Sequence, residues 1–336
     1  MALARYFGRK ALWTLGTLIV ALLLNFFLPR LIPGNPVDAL VSQMARGGGT
    51  GGDQLAQIHA TYMKEFGLDK PAWQQFLLYL NNLLHGNLGT SFGQYPASVN
   101  KLIGEALPWS IAIQLPAIII GWVVGNAIGA IAAYKAGWFD RGAFLSSLFL
   151  SSMPYYCLAI LLLYIVGVVW GVLPIGGAYS FGLSPEPTLA FFGDAITYFW
   201  LPFWSLVLIF VGGQAVGMRS MAIYELGSDY VNYGRGLGLS DTKIVRYIFK
   251  NAMLPQITGL ALSIGGMIGG ALITELVFSY PGIGTLLFNA IGQNDYPVIQ
   301  AVTLIITLAV LGANFLVDIA YGIIDPRIRA SVTGER

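Results

Sequence analysis

The sequence is poor in the residues that catalysis and cross-linking use. A single cysteine, Cys157, stands among 336 residues, so no disulfide can close within the chain. Its place in an apolar run reads as a small buried side chain. Only two histidines occur, His59 and His85, with no cysteine near either, which is too little for a zinc site. Charge is scarce as well: Asp, Glu, Lys and Arg make up 10% of the chain, and the formal net charge is +2. There is no G-x-x-x-x-G-K-[ST] phosphate loop, no Gly-x-Ser-x-Gly elbow and no catalytic pair inside an apolar segment. ATP binding by that loop and catalysis by this chain alone are therefore not expected. Nor is a cofactor of its own, a metal or a nucleic-acid partner.

What the chain has in abundance is apolar surface. With 56% hydrophobic residues and a mean hydropathy of +0.69, it holds more than a soluble fold of this length can hide. Membrane lipid is the expected solvent. A hydrocarbon core of about 30 Å needs about 20 apolar residues in helical form. Six segments qualify, near residues 10–29, 107–134, 144–173, 197–218, 253–277 and 298–324. The first follows Arg5, Arg9 and Lys10 like a signal peptide, but it ends in Pro-Arg without a small-residue cleavage site and reads as a retained span. An even number of spans puts both termini on one side. The N-terminus, the 135–143 turn, the 219–252 loop and the C-terminal tail carry 13 of the 18 basic residues, so that side is expected to be cytoplasmic.

Residues 30–106 then form an extracytoplasmic module. Leu55, Ile58, Tyr62 and Phe66 fall at helical spacing, and Trp73, Phe76, Leu77, Leu80 and Leu84 repeat the pattern after Asp69-Lys70-Pro71. Two short amphipathic helices that pack on each other or lie on the membrane surface are expected. Two further outer loops, near 174–196 and 279–297, carry Gly and Pro turn signals, the latter at Tyr280-Pro281-Gly282-Ile283-Gly284.

The charged stretch from Arg219 to Lys250 stands out in so apolar a chain, because a charged segment held on one side of a membrane suits presentation to a soluble partner. Its second part reads as helix, turn, helix. Ser228 is placed to cap a first helix and Asp229 favours its positive end. Gly234, Gly236 and Gly238 weaken the helix toward a turn near Gly238. Ser240-Asp241 offers a second cap, and Ile244, Val245, Ile248 and Phe249 form a stripe suited to the membrane surface before Pro255 opens the fifth span. Ionisable groups inside spans are expensive and are default candidates for function, which singles out Glu275 and Asp318. Either also fits a hydrogen bond to a neighbouring helix. The Gly265-Gly266-x-x-Gly269-Gly270 pattern permits close helix approach, by plain packing or along a sliding, pore-side contact.

In the 219–252 loop the chain reads Asp229-Tyr230-Val231, then Arg235-Gly236-Leu237-Gly238-Leu239, then Lys250-Asn251-Ala252-Met253-Leu254-Pro255. Elsewhere it carries Ile32-Pro33-Gly34-Asn35-Pro36-Val37, Gly67-Leu68-Asp69-Lys70-Pro71 with Gln75 and Tyr79, Glu275 through Gly284, Asp295-Tyr296-Pro297, and Asp318 with Asp325-Pro326-Arg327. In order and spacing these motifs, over nearly the whole chain, resemble the inner-membrane permease subunits of oligopeptide and dipeptide ABC importers. The chain departs from that pattern at Asn232, where a basic residue is common, and at Tyr233-Gly234, where Thr-Ala is.

The resemblance implies an all-α polytopic fold with a cytoplasmic N-terminus and first span (1–29), the extracytoplasmic module (30–106), a permease core (107–325) and a cytoplasmic tail (326–336). It implies a prokaryotic inner membrane and a second homologous permease subunit. It also implies two cytoplasmic ATPases that bind ATP and Mg, and an extracytoplasmic substrate-binding protein. Asp229, Tyr230, Arg235, Gly236 and Gly238 would form the ATPase-coupling element, and Glu275 would help line the outer gate. Peptides are the expected cargo, with oligosaccharides as the alternative. An ATP-independent transporter or channel would call for inverted repeats with broken helices, and no internal repeat is visible.

Overall fold

The computed structural model describes residues 2–31, 37–38, 41–42, 52–65 and 67–324. Asp318, as a side chain, and the segments at 32–36 and 325–336, on which readings were placed above, lie outside the described residues. The helices are α1 (Ala2–Phe27), α2 (Gly52–Glu65), α3 (Ala72–Leu84), α4 (Val99–Lys135), α5 (Gly137–Ser152) and α6 (Tyr155–Leu162). They continue with α7 (Leu189–Leu226), α8 (Asp229–Gly236), α9 (Asp241–Gly270), α10 (Leu272–Val277), α11 (Ile283–Gly292) and α12 (Tyr296–Ile324). Among the described residues the only β pairing is an isolated bridge between Thr90 and Ser98. The fold is the all-α polytopic class expected.

Among the described residues four helical segments are long and apolar enough to cross a membrane: Gly8–Leu31, Val99–Lys135, Leu189–Leu226 and Tyr296–Val317. The span expected at 144–173 is instead a pair, Gly137–Ser152 and Tyr155–Val169, bent by 97°. Pro154 explains the break, since its ring holds Met153 in an extended conformation and cannot continue the helix before it. The span expected at 253–277 is also divided, between α9 and α10, with Ala271 at the junction.

The chain separates into two compact units. One comprises Met1–Trp109 and Gly282–Arg336. Here α1 runs along α12, and polar groups fasten the two: Asn25 Nδ2 donates to the Gln300 carbonyl at 2.7 Å, and Thr303 Oγ1 donates to Asn25 Oδ1. Such bonds replace the hydrophobic drive that helices in lipid lack. The helix α3, from the segment expected to form the outer module, sits at the end of α1, where its Phe76 meets the Phe26 ring edge-on at 5.1 Å. Trp73, Leu77 and Leu84 on the other face of α3 are exposed. The loop expected at 279–297 contains the helix α11, packed on α12.

The other unit is Ser110–Pro281, and α7 is its centre. Gly121, Gly125 and Gly129 recur every fourth residue along α4. A Cβ on them would overlap Phe210 Cβ, the Val211 carbonyl and the Ala215 carbonyl of α7 in turn. The backbones therefore touch along a small-residue seam. Gly212 gives α5 the same access from the other side, against the Ser147 carbonyl. The 170–188 loop is tied down by Asp194, which accepts from the Ser180 N–H and hydroxyl, both at 2.6 Å, while the Gly177 N–H donates to the Phe278 carbonyl at 2.7 Å.

Candidate coupling segment and buried polar sites

The eight-residue helix α8 is bounded on both sides by backbone rather than side-chain caps. Ser228 begins it as expected, but its hydroxyl donates to the Glu225 carbonyl at 2.6 Å and makes no cap bond; the Ser228 carbonyl instead takes the Val231 N–H at 3.1 Å. The exit is a Schellman motif. The Leu239 N–H donates to the Gly234 carbonyl at 3.1 Å and the Gly238 N–H to the Arg235 carbonyl at 3.0 Å. That pattern requires a left-handed residue after the helix, and Gly238 supplies it with φ +70°. Gly234 has its own reason. It is buried, and a Cβ there would stand 3.3 Å from Leu239 Cδ1, the apolar contact that closes the motif.

One face of α8 is anchored and the other is free. Val231, 1% exposed, joins Ala133, Ala222, Ile244 and Ile248 in a core cluster that Leu226 and Leu239 complete. The helix is thereby fixed to the ends of α4 and α7 and the start of α9. On the outward face Tyr233 and Leu237, one turn apart, are 71% and 62% exposed, and Asp229, Asn232, Arg235 and Gly236 are exposed around them. Tyr230 faces back toward its own chain: its hydroxyl donates to Glu225 Oε2 at 2.7 Å. Burial, and then that hydrogen bond, push its pKa above the ordinary tyrosine value. The expected surface helix before Pro255 does not form. Residues 241–270 are one helix with Pro255 in its interior, and Ile244 and Ile248 turn into the core instead of toward lipid.

Glu275 lies on the short helix α10 and is 0% exposed. Ser110 Oγ of α4 donates to its Oε1 at 2.6 Å, and Gln114 Nε2, one turn on, lies at 3.4 Å from the same oxygen. The neighbouring Thr274 hydroxyl is buried with no hydrogen-bond partner among the described residues. Tyr280 follows, 2% exposed, its hydroxyl pushed above the usual range by burial and secondarily by the Glu275 charge. In this conformation Glu275 joins α10 to α4. Gly265 and Gly266 lie within α9, and a Cβ on Gly266 would meet nothing within 4 Å; the surroundings of Gly269 and Gly270 lie outside the described residues.

Two polar sites escaped sequence reasoning. Arg219 near the end of α7 forms a bidentate pair with Asp140 of α5, at 2.5 and 2.7 Å, and stacks 4.4 Å from the Phe144 ring. Opposite charges flanking two spans at the same level were the available signal. Asp295, 2% exposed, accepts from Ser91 Oγ and from the N–H groups of Phe92 and Gly93, both at 3.0 Å. Its partners lie some 200 positions away in sequence, and nothing local announces them.

Residues 125–330 match the family described as "Binding-protein-dependent transport system inner membrane component". The Di/tripeptide transport system permease protein DppB of Pseudomonas aeruginosa is 35% identical over 322 residues, covering 91% of this chain and 93% of that protein. The Dipeptide transport system permease protein DppB of Escherichia coli K12 is 32% identical, with 93% and 95% covered. The Oligopeptide transport system permease protein OppB of Haemophilus influenzae is 32% identical, with 97% and 99% covered. With its apolar spanning helices and a family match over more than half its length, the chain belongs to the inner membrane components of binding-protein-dependent transport systems.

Proposed function

We propose that this chain is a membrane-spanning permease subunit of an ATP-driven peptide importer. The observation that carries the reading is near-full-length similarity to three permeases named for di-, tri- and oligopeptide transport. The chain itself hydrolyses nothing. Two cytoplasmic ATPases hold ATP and Mg, a second homologous permease completes the pathway, and an extracytoplasmic binding protein delivers the peptide. Both termini and the 219–252 loop lie in the cytoplasm, in keeping with the distribution of basic residues.

In this reading α8 docks in a groove of one ATPase, with Tyr233 and Leu237 as apolar anchors and Asp229, Arg235 and Gly236 at the rim. Tyr230 braces the helix from behind. Closure of the ATPases on ATP moves α8, and because Val231 and the core cluster fix α8 to α4, α7 and α9, the spans move with it. Glu275 belongs to the outer gate as a group that changes partners. The Thr274 hydroxyl beside it, unpaired among the described residues, and the break at Ala271 support a second arrangement of α10.

Reconstitution tests the proposal. Proteoliposomes containing the chain with its partner permease, ATPases and binding protein should take up labelled di- or tripeptides only with ATP inside. Uptake of an oligosaccharide but not of peptides would refute the cargo, and uptake without the ATPases would refute the class.

A further inference from the structure

We propose that a basic pocket at the end of α1 binds the headgroup phosphate of an anionic membrane phospholipid. The pocket has a volume of about 350 Å³ and belongs wholly to the unit formed by the first and last parts of the chain. Arg30, Lys64 and Lys70 line it, and among the described residues no Asp or Glu does. Tyr79 and Asn82 of α3 and Tyr296 of α12 complete the wall.

Arg30 is held in place before any ligand arrives. Its Nη1 donates to the Phe26 carbonyl at 2.7 Å, its Nη2 to Gln75 Oε1 at 3.0 Å, and its guanidinium carbon lies 3.6 Å from the Phe26 ring centroid. Every one of those partners is neutral. Among the described residues Arg219 pairs with Asp140 and Lys101 with Glu105. Arg30, Lys64 and Lys70 make no ion pair among the described residues. A fixed, half-buried guanidinium with two lysines and no counter-charge is a site suited to a multivalent oxyanion.

Position points to lipid as its source. Phe26 and Arg30 close the apolar segment Gly8–Leu31 and Tyr296 opens Tyr296–Val317, so the pocket sits where hydrocarbon meets water, the level at which phosphates lie. Beside it Leu24 (53%) and Phe27 (41%) of α1 and Leu28 (54%) just after it are exposed, an apolar strip along which acyl chains can run. A soluble peptide carboxylate has no use for that strip.

The test uses the full chain, purified in an uncharged detergent and titrated with dioctanoyl phosphatidylglycerol, dioctanoyl phosphatidylcholine, inorganic phosphate and a tripeptide, with bound species counted by native mass spectrometry. Phosphatidylglycerol should bind in preference to phosphatidylcholine, and Arg30→Gln should weaken it about ten-fold. Lys64→Gln and Lys70→Gln, whose native side chains make no hydrogen bond among the described residues, should each weaken it about five-fold. They keep the test decisive should the arginine variant fail to fold. Unchanged affinity in the lysine variants would overturn the proposal, as would equal binding of the two lipids. Displacement of the lipid by millimolar phosphate would make this a free-anion site, and displacement by the tripeptide a peptide site; either result also refutes the lipid assignment.

Discussion

Gly238 is the residue on which the coupling segment turns. Its φ of +70° would strain any L side chain, yet a Cβ there meets nothing within 4 Å, so the penalty lies in the backbone and not in a clash with the chain. Gly238→Val should cost about 2 kcal/mol locally, leave membrane insertion intact and uncouple ATP hydrolysis from uptake in proteoliposomes. Asp229→Ala, which removes only a helix-end charge, should cost about 0.5 kcal/mol and leave most uptake in place. Ala136 presents the opposite case, a non-glycine residue at φ 51°, ψ −166° between α4 and α5. Ala136→Gly should raise the melting temperature by relieving about 1 kcal/mol of strain; a lower one would show that the turn is unstrained. The position of Gly238 was readable, because glycine spacing and turn chemistry are local. The Ser228 hydroxyl was not, since a carbonyl one turn back competes with the cap, and Ser110 gives no hint of Glu275 from 165 residues away.

Among elements, the seam between α4 and α7 is the most demanding. At Gly125 a side chain would run into the Val211 carbonyl and the Gln214 Cβ, neither of which can yield without parting the helices. Gly125→Leu should abolish stable folded protein in the membrane, measured by size-exclusion chromatography in detergent, whereas Gly266→Ala on α9 should be tolerated. Helix content and the long apolar segments were legible from hydropathy alone. The bend at Pro154 and the junction at Ala271 were less so, because apolar composition is the same on both sides of a break. The stripe on residues 244–249 misled for a related reason: a period of 3.6 says that a face is buried, not whether protein or lipid covers it.

For the whole molecule, the basic-residue asymmetry carries a topology that labelling can test. In a Cys157→Ser background, Asn81→Cys and Thr242→Cys should react with an impermeant thiol reagent from opposite sides of intact cells. Labelling of both from outside would discard the proposed orientation. The outer module's removal, by deleting residues 53–86, should impair uptake while leaving ATPase association intact. The pairing of α1 with α12 also sets a timetable for synthesis. Ser110–Pro281 is one uninterrupted stretch and can assemble as it leaves the ribosome, but the first unit needs Gln300 for Asn25 and Asp295 for the 91–93 turn. The opening span, already in the membrane, must wait through most of translation for its partner. A stalled or truncated nascent chain therefore leaves its earliest helix without a mate, the kind of species that membrane quality control removes.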